Sequence, residues 1–400
     1  MKPQFYRKVL KNGMTILFEK RDLPVICVAF AVRHGGINEN PSEKGISHFI
    51  EHMLYKGTPT RNAKQIADEI EGVGGELNGF TDETLTAYWC KMPSKNLNNA
   101  LTVLSDMIKN PLFDEKELEK ERKVIFEEIK MRKDSPRVYV FDQIQSHLYG
   151  GTLGMNLIGT PDTINSLNRE MILEKFQQVY QSNNLILAVV GDADFDQIVE
   201  FAEKNFGKSK GKIETQKISV KNESRLEKRK GIDQANLVFS YHVPLAGNKK
   251  SYAAMALGTL MAGGMSSRLF AEIREKRNLA YAVKGDSNIN NSFAYNLIYV
   301  GTTKENVDKI KKIILEEFKK VAENLAEQEL NQVKEQLIGN YHIYMEDSQV
   351  QLVNLLLYEI DGNAREFYKF VKNVNDVKLK DVKDLAKIKD YSFFALVPEN

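Results

Sequence analysis

The sequence is poor in cysteine and in long apolar runs. Cys27 and Cys90 are the only cysteines in 400 residues, and two isolated cysteines form neither a disulfide framework nor a thiolate zinc cluster. No apolar run is long enough to span a bilayer, and residues 1–10 contain no apolar segment of the kind found in signal peptides. These absences predict a soluble, cytoplasmic protein that does not enter a membrane.

Neither sign of charge predominates. The chain has 56 Lys and Arg against 54 Asp and Glu, a net charge of +2, and the two signs are interspersed. Binding to nucleic acid or to an anionic membrane surface is therefore not expected. With 42% hydrophobic residues, a chain of this length can bury a large core, which favours two domains or one internally duplicated unit.

Histidine is scarce, yet two of the six histidines lie four residues apart. A residue advances about 100° around a helix, so His48 and His52 share one face, and Glu51 points in nearly the same direction. The odds of such a pair around an acidic residue arising by chance are roughly 1 in 80, and a hydrogen-bonded surface pair is the alternative to a functional site. The apolar residues of the segment follow the spacing of a core-facing stripe: Ile46, Phe49, Ile50, Met53 and Leu54.

This group of side chains suits a catalytic zinc ion. Two neutral imidazoles supply nitrogen ligands, and the carboxylate beside them can accept a proton from a metal-bound water. The acidic residue directly precedes the second histidine, which reverses the order of the commoner zinc-protease motif. We therefore predict His48 and His52 as zinc ligands and Glu51 as the general base.

A catalytic zinc usually takes three protein ligands, so a third must come from another segment. A long charged helix predicted over residues 115–132 offers Glu121, Glu127 and Glu128. Glu121 and Glu128 share the apolar stripe of that helix, where a carboxylate is costly unless it is paired or metal-bound. Glu127 lies beside lysines, where a solvated salt bridge is the ordinary interpretation. We predict Glu128 as the third ligand and Glu121 as its neighbour in the site.

The two halves of the sequence follow the same plan of strands and helices. Apolar residues thin out between 208 and 231, so we place a charged linker at 211–231, between an N-terminal domain at 1–210 and a C-terminal domain at 232–400. The predicted fold is α+β, with two homologous domains, each a mostly antiparallel mixed sheet covered by helices. The second half has no His-x-x-Glu-His, so one metal site per chain is expected. The predicted strands include 14–18, 25–32, 76–80, 85–91, 185–190, 236–242 and 392–397, and the predicted helices include 63–73, 97–109, 169–180, 195–205 and 268–277.

Residues 45–58 and 121–128, which contain the polar residues described above, resemble the inverted-zinc-motif peptidases of the pitrilysin and insulin-degrading-enzyme family. The resemblance covers nearly the whole chain. It is closest to the half-length branch, which includes mitochondrial processing peptidase β subunits and bacterial processing proteases. It implies a processing-peptidase-like metallohydrolase fold and a zinc metalloendopeptidase.

Residues 75–81 resemble the edge strand of that family, on which an extended substrate adds as a further strand. Asn78 falls where the family has its substrate-orienting asparagine, and Gly79, Phe80 and Thr81 continue the strand. Backbone pairing of this kind tolerates many side chains, which fits a broad peptide selectivity. Gly79 departs from the family, which more often has alanine there.

Residues 267–281 resemble the family segment that carries an arginine and a tyrosine, here Arg274 and Tyr281. In that family the pair contacts substrate, and a guanidinium and a phenol are suitable donors to a developing oxyanion. We expect Asn278 to end a helix and Tyr281 to begin a strand; a solvated helix end with a core tyrosine is the alternative. Double-length relatives hold zinc in one half and this pair in the other. The resemblance therefore implies a homodimer in which each chain completes the active site of its partner.

Together these features predict a zinc-dependent endopeptidase that hydrolyses peptides or unfolded protein segments. One alternative is a non-catalytic structural or partner-binding subunit of the same family. The other is an active subunit that requires a different protein chain as its partner.

Overall fold

The computed structural model describes residues 4–399. The strands, in chain order, are β1 Gln4–Val9, β2 Thr15–Lys20, β3 Val25–Val32, β4 Glu76–Thr81, β5 Thr86–Pro93, β6 Tyr149–Gly150, β7 Leu185–Gly191, β8 Ser219–Val220, β9 Ser224–Arg229, β10 Ala235–His242, β11 Ala280–Ile289, β12 Ala294–Thr302 and β13 Ser392–Pro398. The helices are α1 Ile46–Leu54, α2 Ala63–Glu71, α3 Leu97–Lys109, α4 Glu115–Asp134, α5 Pro136–Leu148, α6 Pro161–Ser166, α7 Arg169–Val179, α8 Phe195–Asn205, α9 Ser251–Ala262, α10 Val307–Asn324, α11 Glu327–Tyr344, α12 Ser348–Ile360, α13 Phe370–Asn375 and α14 Leu379–Leu385. A π-helix covers Phe270–Glu275.

The chain divides into two compact units. The first contains the chain up to Ile129, Met155–Lys217 and Tyr344–Phe367, and the second contains Lys130–Gly154, Ile218–Ile343 and Tyr368 onward. Each unit is a sheet with helices packed on it, which confirms the predicted α+β class with two domains. The domain boundaries at 210 and 232 stay a prediction, and the units differ from them because each takes a segment from the other half of the sequence.

The sheet of the first unit has the order β1-β2-β7-β3-β5-β4. Its neighbours run antiparallel except β2 and β7, which are parallel. The two central strands, β7 and β3, consist almost entirely of buried apolar residues, because both faces of a central strand are covered. Strand β4 lies at the edge and pairs with β5 from Glu76 opposite Lys91 to Thr81 opposite Thr86.

An apolar core fills the space between this sheet and its helices. Helix α1 contributes the five apolar residues of the predicted stripe, each at most 1% exposed. Helices α3 and α8 pack on the same core, and their bounds agree with the predicted ranges 97–109 and 195–205. Cys27 and Cys90 are buried and free.

The second unit has a sheet of order β11-β12-β10-β13-β9, with its own apolar core. Strand β11 lies at one edge. At the other edge β9 runs parallel to β13. The sequence of β9, Ser-Arg-Leu-Glu-Lys-Arg, does not predict a strand, because this exposed segment is mostly charged and has little apolar alternation.

Two further elements differ from the expected ones. No helix was predicted over Pro136–Leu148, where α5 packs against β10 and β13. The helix predicted at 268–277 is a π-helix over Phe270–Glu275. Within residues 4–399, no helix is both long and apolar enough to cross a bilayer.

Candidate metal centre

The first unit fixes the N-terminus of α1 through a buried carboxylate. Gly45 precedes the helix with φ of +97°, a conformation that glycine adopts without strain. Glu39 is fully buried and accepts hydrogen bonds from the backbone N–H groups of Gly45, at 3.1 Å, and Ser47, at 2.8 Å. Burial raises the pKa of Glu39, while Lys44, with its Nζ 3.6 Å away, and the two N–H groups act in the opposite direction. This anchor sets the direction in which the histidines of α1 point.

His48 and His52 lie one above the other on α1. Their ring centroids are 4.6 Å apart and the rings are inclined at 69°. His48 is buried, and His52 is half-buried. The predicted helical face therefore exists, and both rings turn toward α4.

Glu128 of α4 faces both rings. Its Oε2 lies 3.4 Å from Nε2 of His48 and 3.9 Å from Nε2 of His52. One ligand atom from each of the three residues lies within 4.8 Å of the others. Around a tetrahedral zinc with bonds of about 2.1 Å, ligand atoms are about 3.4 Å apart. The donor set of two imidazole nitrogens and one carboxylate oxygen fits that ion, with one position left for water.

Glu121 contacts the ring nitrogen of His52 that faces away from Glu128. Its Oε2 lies 3.0 Å from Nδ1 of His52, and its Oε1 lies 2.7 Å from Nζ of Lys56. When a histidine donates one ring N–H to a carboxylate, the other nitrogen is left with a lone pair for a metal. Glu127 is exposed. The three candidate glutamates of α4, Glu121, Glu127 and Glu128, thus have three different environments.

Glu51 lies beside the cluster and is hydrogen-bonded to the edge strand. Oγ1 of Thr81 donates to Oε2 of Glu51 over 2.7 Å. Burial raises the pKa of Glu51; the Thr81 hydrogen bond and His52 lower it, and Glu128 raises it further. A half-buried carboxyl beside a metal ion can accept a proton from a water that is bound to the metal.

The predicted substrate strand is the edge strand β4. Asn78 is exposed, and its Oδ1 accepts a hydrogen bond from the N–H of Gly79 at 2.8 Å. Gly79 and Phe80 are half-buried. Because β4 is an edge, its outer backbone groups are available to pair with an extended chain.

Arg274 and Tyr281 belong to the second unit. Both are exposed, Tyr281 to 47%, and the Arg274 guanidinium lies 4.9 Å from the Phe270 ring centroid. Asn278 has φ of +49° after the π-helix, and Tyr281 is the second residue of the edge strand β11. The expectation for Asn278 and for the start of the strand therefore agrees with the structure.

Tyr281 also lies at an irregularity of the sheet. The register of β11 against β12 shifts between Ala280 and Ala282. Bulges of this kind redirect a side chain and are frequent near functional sites, as are π-helical turns.

Sequence reasoning missed two contacts of the site. Lys56 lies two residues beyond the end of α1 and pairs with Glu121 of α4, so no spacing within one helix predicts the contact. The hydrogen bond from Thr81 to Glu51 joins a strand to a helix 30 residues away. No local pattern gives such a contact.

The fold and the candidate metal site are those expected of a metallopeptidase, and comparisons with known proteins identify the family of the chain. The profile described as insulinase, peptidase family M16, matches residues 16–161, and the profile described as peptidase M16 inactive domain matches residues 166–337. The chain therefore belongs to peptidase family M16.

Individual relatives match nearly end to end. An uncharacterized zinc protease of Rickettsia felis is 32% identical over 398 residues, covering 96% of this chain and 95% of the relative. One of Bacillus subtilis is 30% identical over 404 residues and covers 98% of each chain. The crystal structure of a protease from Helicobacter pylori superposes with a TM-score of 0.92 at 23% identity, covering 99% of this chain and 100% of that one.

Proposed function

We propose that the protein is a zinc-dependent endopeptidase that hydrolyses peptides or unfolded protein segments. The observation that carries the proposal is the convergence of His48, His52 and Glu128 within 4.8 Å, with Glu51 on the same helical face. Membership of family M16 supports it, as do relatives named as zinc proteases.

His48, His52 and Glu128 would hold the zinc ion. When bound, zinc supplies Lewis acidity: it lowers the pKa of a coordinated water and polarises the peptide carbonyl. Glu51, oriented by Thr81, accepts a proton from the attacking water and delivers it to the leaving nitrogen. Glu121 holds the His52 ring so that Nε2 faces the metal.

The edge strand β4 would hold the substrate as an added strand. Main-chain hydrogen bonds along β4 place an extended peptide beside Glu51, because Thr81 of the same strand contacts that carboxylate. Asn78 would orient the peptide. A substrate must therefore present an extended segment, which a folded protein seldom does.

Arg274 and Tyr281 would contact substrate and stabilise the oxyanion. They belong to a different compact unit from the metal residues, and Tyr281 is half exposed at a sheet edge. We propose that the chain acts as a homodimer in which this pair completes the site of the other copy.

The variant Glu51→Gln tests the assignment of the base. Glutamine keeps the volume and can still accept from Thr81, but it cannot take up a proton, so kcat should fall by at least about 100-fold. Zinc content should stay near that of the wild type, because Glu51 is not a ligand. Cleavage of a quenched peptide and metal analysis on the same preparation measure both. Unchanged turnover in Glu51→Gln would refute the role of Glu51.

A second candidate is a structural or partner-binding subunit without activity. The match of residues 166–337 to a profile described as an inactive domain favours it. It predicts no chelator-sensitive cleavage by the zinc-loaded protein, alone or as a dimer. Chelator-sensitive cleavage that Glu51→Gln abolishes excludes it.

A further inference from the structure

Tyr55 carries a buried hydroxyl beside the candidate site that the proposed mechanism does not use. The residue ends α1, and its ring packs 6.0 Å from that of Tyr88. Its Oη is buried, and among residues 4–399 it has no hydrogen-bond partner. A buried hydroxyl without a partner costs free energy. A bound water, or a small movement of the side chain, that gives this hydroxyl a hydrogen-bond partner would therefore be favourable.

Gly79 defines the space around that hydroxyl. A Cβ at position 79 would lie less than 3.0 Å from Oη of Tyr55, closer than real Cβ atoms come, and 3.4 Å from Oε1 of Glu51. The phenol oxygen and this carboxylate oxygen therefore border the same small space. Only a residue without a side chain leaves that space free.

The two oxygens of Glu51 have different surroundings. Oε2 accepts the hydrogen bond from Thr81, whereas Oε1 faces the space that Gly79 leaves and that Tyr55 borders. The phenol O–H of Tyr55 can donate a hydrogen bond, and Oε1 of Glu51 is a carboxylate oxygen that can accept one. Hydrogen bonds to ionised carboxylates are the stronger ones.

We propose that Tyr55 is a positioning residue for Glu51. Its O–H donates to Oε1, directly or through one water, and Gly79 is required because it leaves room for this contact. With Thr81 on one oxygen and Tyr55 on the other, the carboxylate is held from both sides while each oxygen keeps a lone pair. The catalytic consequence rests on the proposed peptidase function; the steric consequence does not.

The variant Tyr55→Phe tests the catalytic part. Losing one hydrogen bond to a charged group should lower kcat by about tenfold, with KM and zinc content within about twofold of the wild type. Tyr180→Phe is the matched control: it also removes a buried hydroxyl, but one already partnered with Tyr88 at 2.8 Å. Equal kcat in Tyr55→Phe and wild type would overturn the positioning role.

A double-mutant cycle on the metal-free protein tests the steric part without any activity. Gly79→Ala should lower the Tm by several degrees, and the loss should be smaller in a Tyr55→Phe background, where the hydroxyl is absent. The contact with the Ala87 carbonyl, 2.8 Å from the added Cβ, is common to both backgrounds and cancels. Gly207→Ala, where nothing lies within 4 Å, is the control.

The outcomes separate the two claims. Additive Tm losses for Tyr55→Phe and Gly79→Ala would overturn the shared space between them. A zinc-loaded wild type that cleaves nothing would refute the proposed function. The Tm values of the double-mutant cycle would then still test whether Tyr55 and Gly79 share the same space. Full activity of both wild type and Tyr55→Phe would refute the inference alone.

Discussion

Glu121 and Glu128 lie on the same face of α4 but contact the histidines in different ways. Glu128 faces the Nε2 atoms, whereas Glu121 faces Nδ1 of His52 and is itself held by Lys56. A metal and a second carboxylate can thus act on opposite nitrogens of one ring. The residue proposed to bind zinc, Glu128, and the residue proposed to orient His52, Glu121, are about two helical turns apart.

We predict that Glu121→Gln weakens zinc binding without removing a ligand. The uncharged amide is a poorer acceptor for the His52 ring, and loss of such an outer partner typically costs about 10- to 100-fold in metal affinity. Competition with a chromophoric chelator measures the affinity. Glu127→Gln, on the exposed side of the same helix, is the control and should bind as the wild type does. Equal affinities for the two variants would contradict the assignment.

The convergence of the candidate metal residues can be predicted from the sequence because helical periodicity is local. His48, Glu51 and His52 share a turn of α1, and the apolar stripe of α4 selects Glu128 over Glu127. Helical periodicity does not predict the hydrogen bond from Thr81 to Glu51. It also does not predict that the Tyr55 hydroxyl lies near Glu51. Both depend on how β4 packs against α1, which no spacing along the chain encodes.

At the scale of elements, α12 shows how a helix is fixed to the first sheet. The Glu359 carboxylate at its end is 1% exposed and pairs with Arg7, at 2.8 Å, and Arg33, at 3.0 Å. Burial alone would raise the pKa of Glu359, but hydrogen bonds from Arg7, the Ala364 N–H and Arg33 outweigh it and lower the pKa. The ion pairs join β1 and the end of β3 to a helix more than 300 residues away.

We predict that this attachment fails in acid. Because the folded-state pKa of Glu359 is lowered, its contribution to stability is fully present above the unfolded value of about 4.3. It is lost as the pH falls through the folded pKa. Glu359→Gln should therefore be less stable than the wild type at pH 7, by on the order of 1–3 kcal/mol, and the difference should shrink at pH 3. Urea unfolding at the two pH values measures it, and a difference independent of pH would contradict the prediction.

Elements with a strong pattern could be predicted closely, and elements stabilised by distant partners could not. The predicted strand 25–32 and helices 97–109 and 195–205 agree with β3, α3 and α8, because buried strands and amphipathic helices carry their own periodicity. Strand β9 is held by backbone pairing with β13, so its charged sequence gives little sign of it. The π-helix before Asn278 inserts a residue into a helical turn, which periodicity cannot distinguish from an α-helix.

At the scale of the whole molecule, the structure has two sheets with helices, and the candidate metal residues His48, His52 and Glu128 all lie in the first unit. The compact units also exchange segments: α5 packs on the second sheet and α12 on the first. Sequence reasoning places a boundary where composition changes, so it cannot find segments that fold with the other half.

The homodimer proposal predicts complementation between two inactive variants. A Glu51→Gln chain keeps Arg274 and Tyr281, and a Tyr281→Phe chain keeps the metal site and its base, so a mixed dimer would contain one complete site. Random pairing makes half of the dimers mixed, each with one working site of two, so coexpression should restore about a quarter of wild-type activity. Two affinity tags isolate the mixed dimers, and peptide cleavage measures the recovery. Pairing Glu51→Gln with the double variant Glu51→Gln/Tyr281→Phe is the control and should stay inactive. Isolated mixed dimers that recover nothing over either parent would show that the chains do not share their sites.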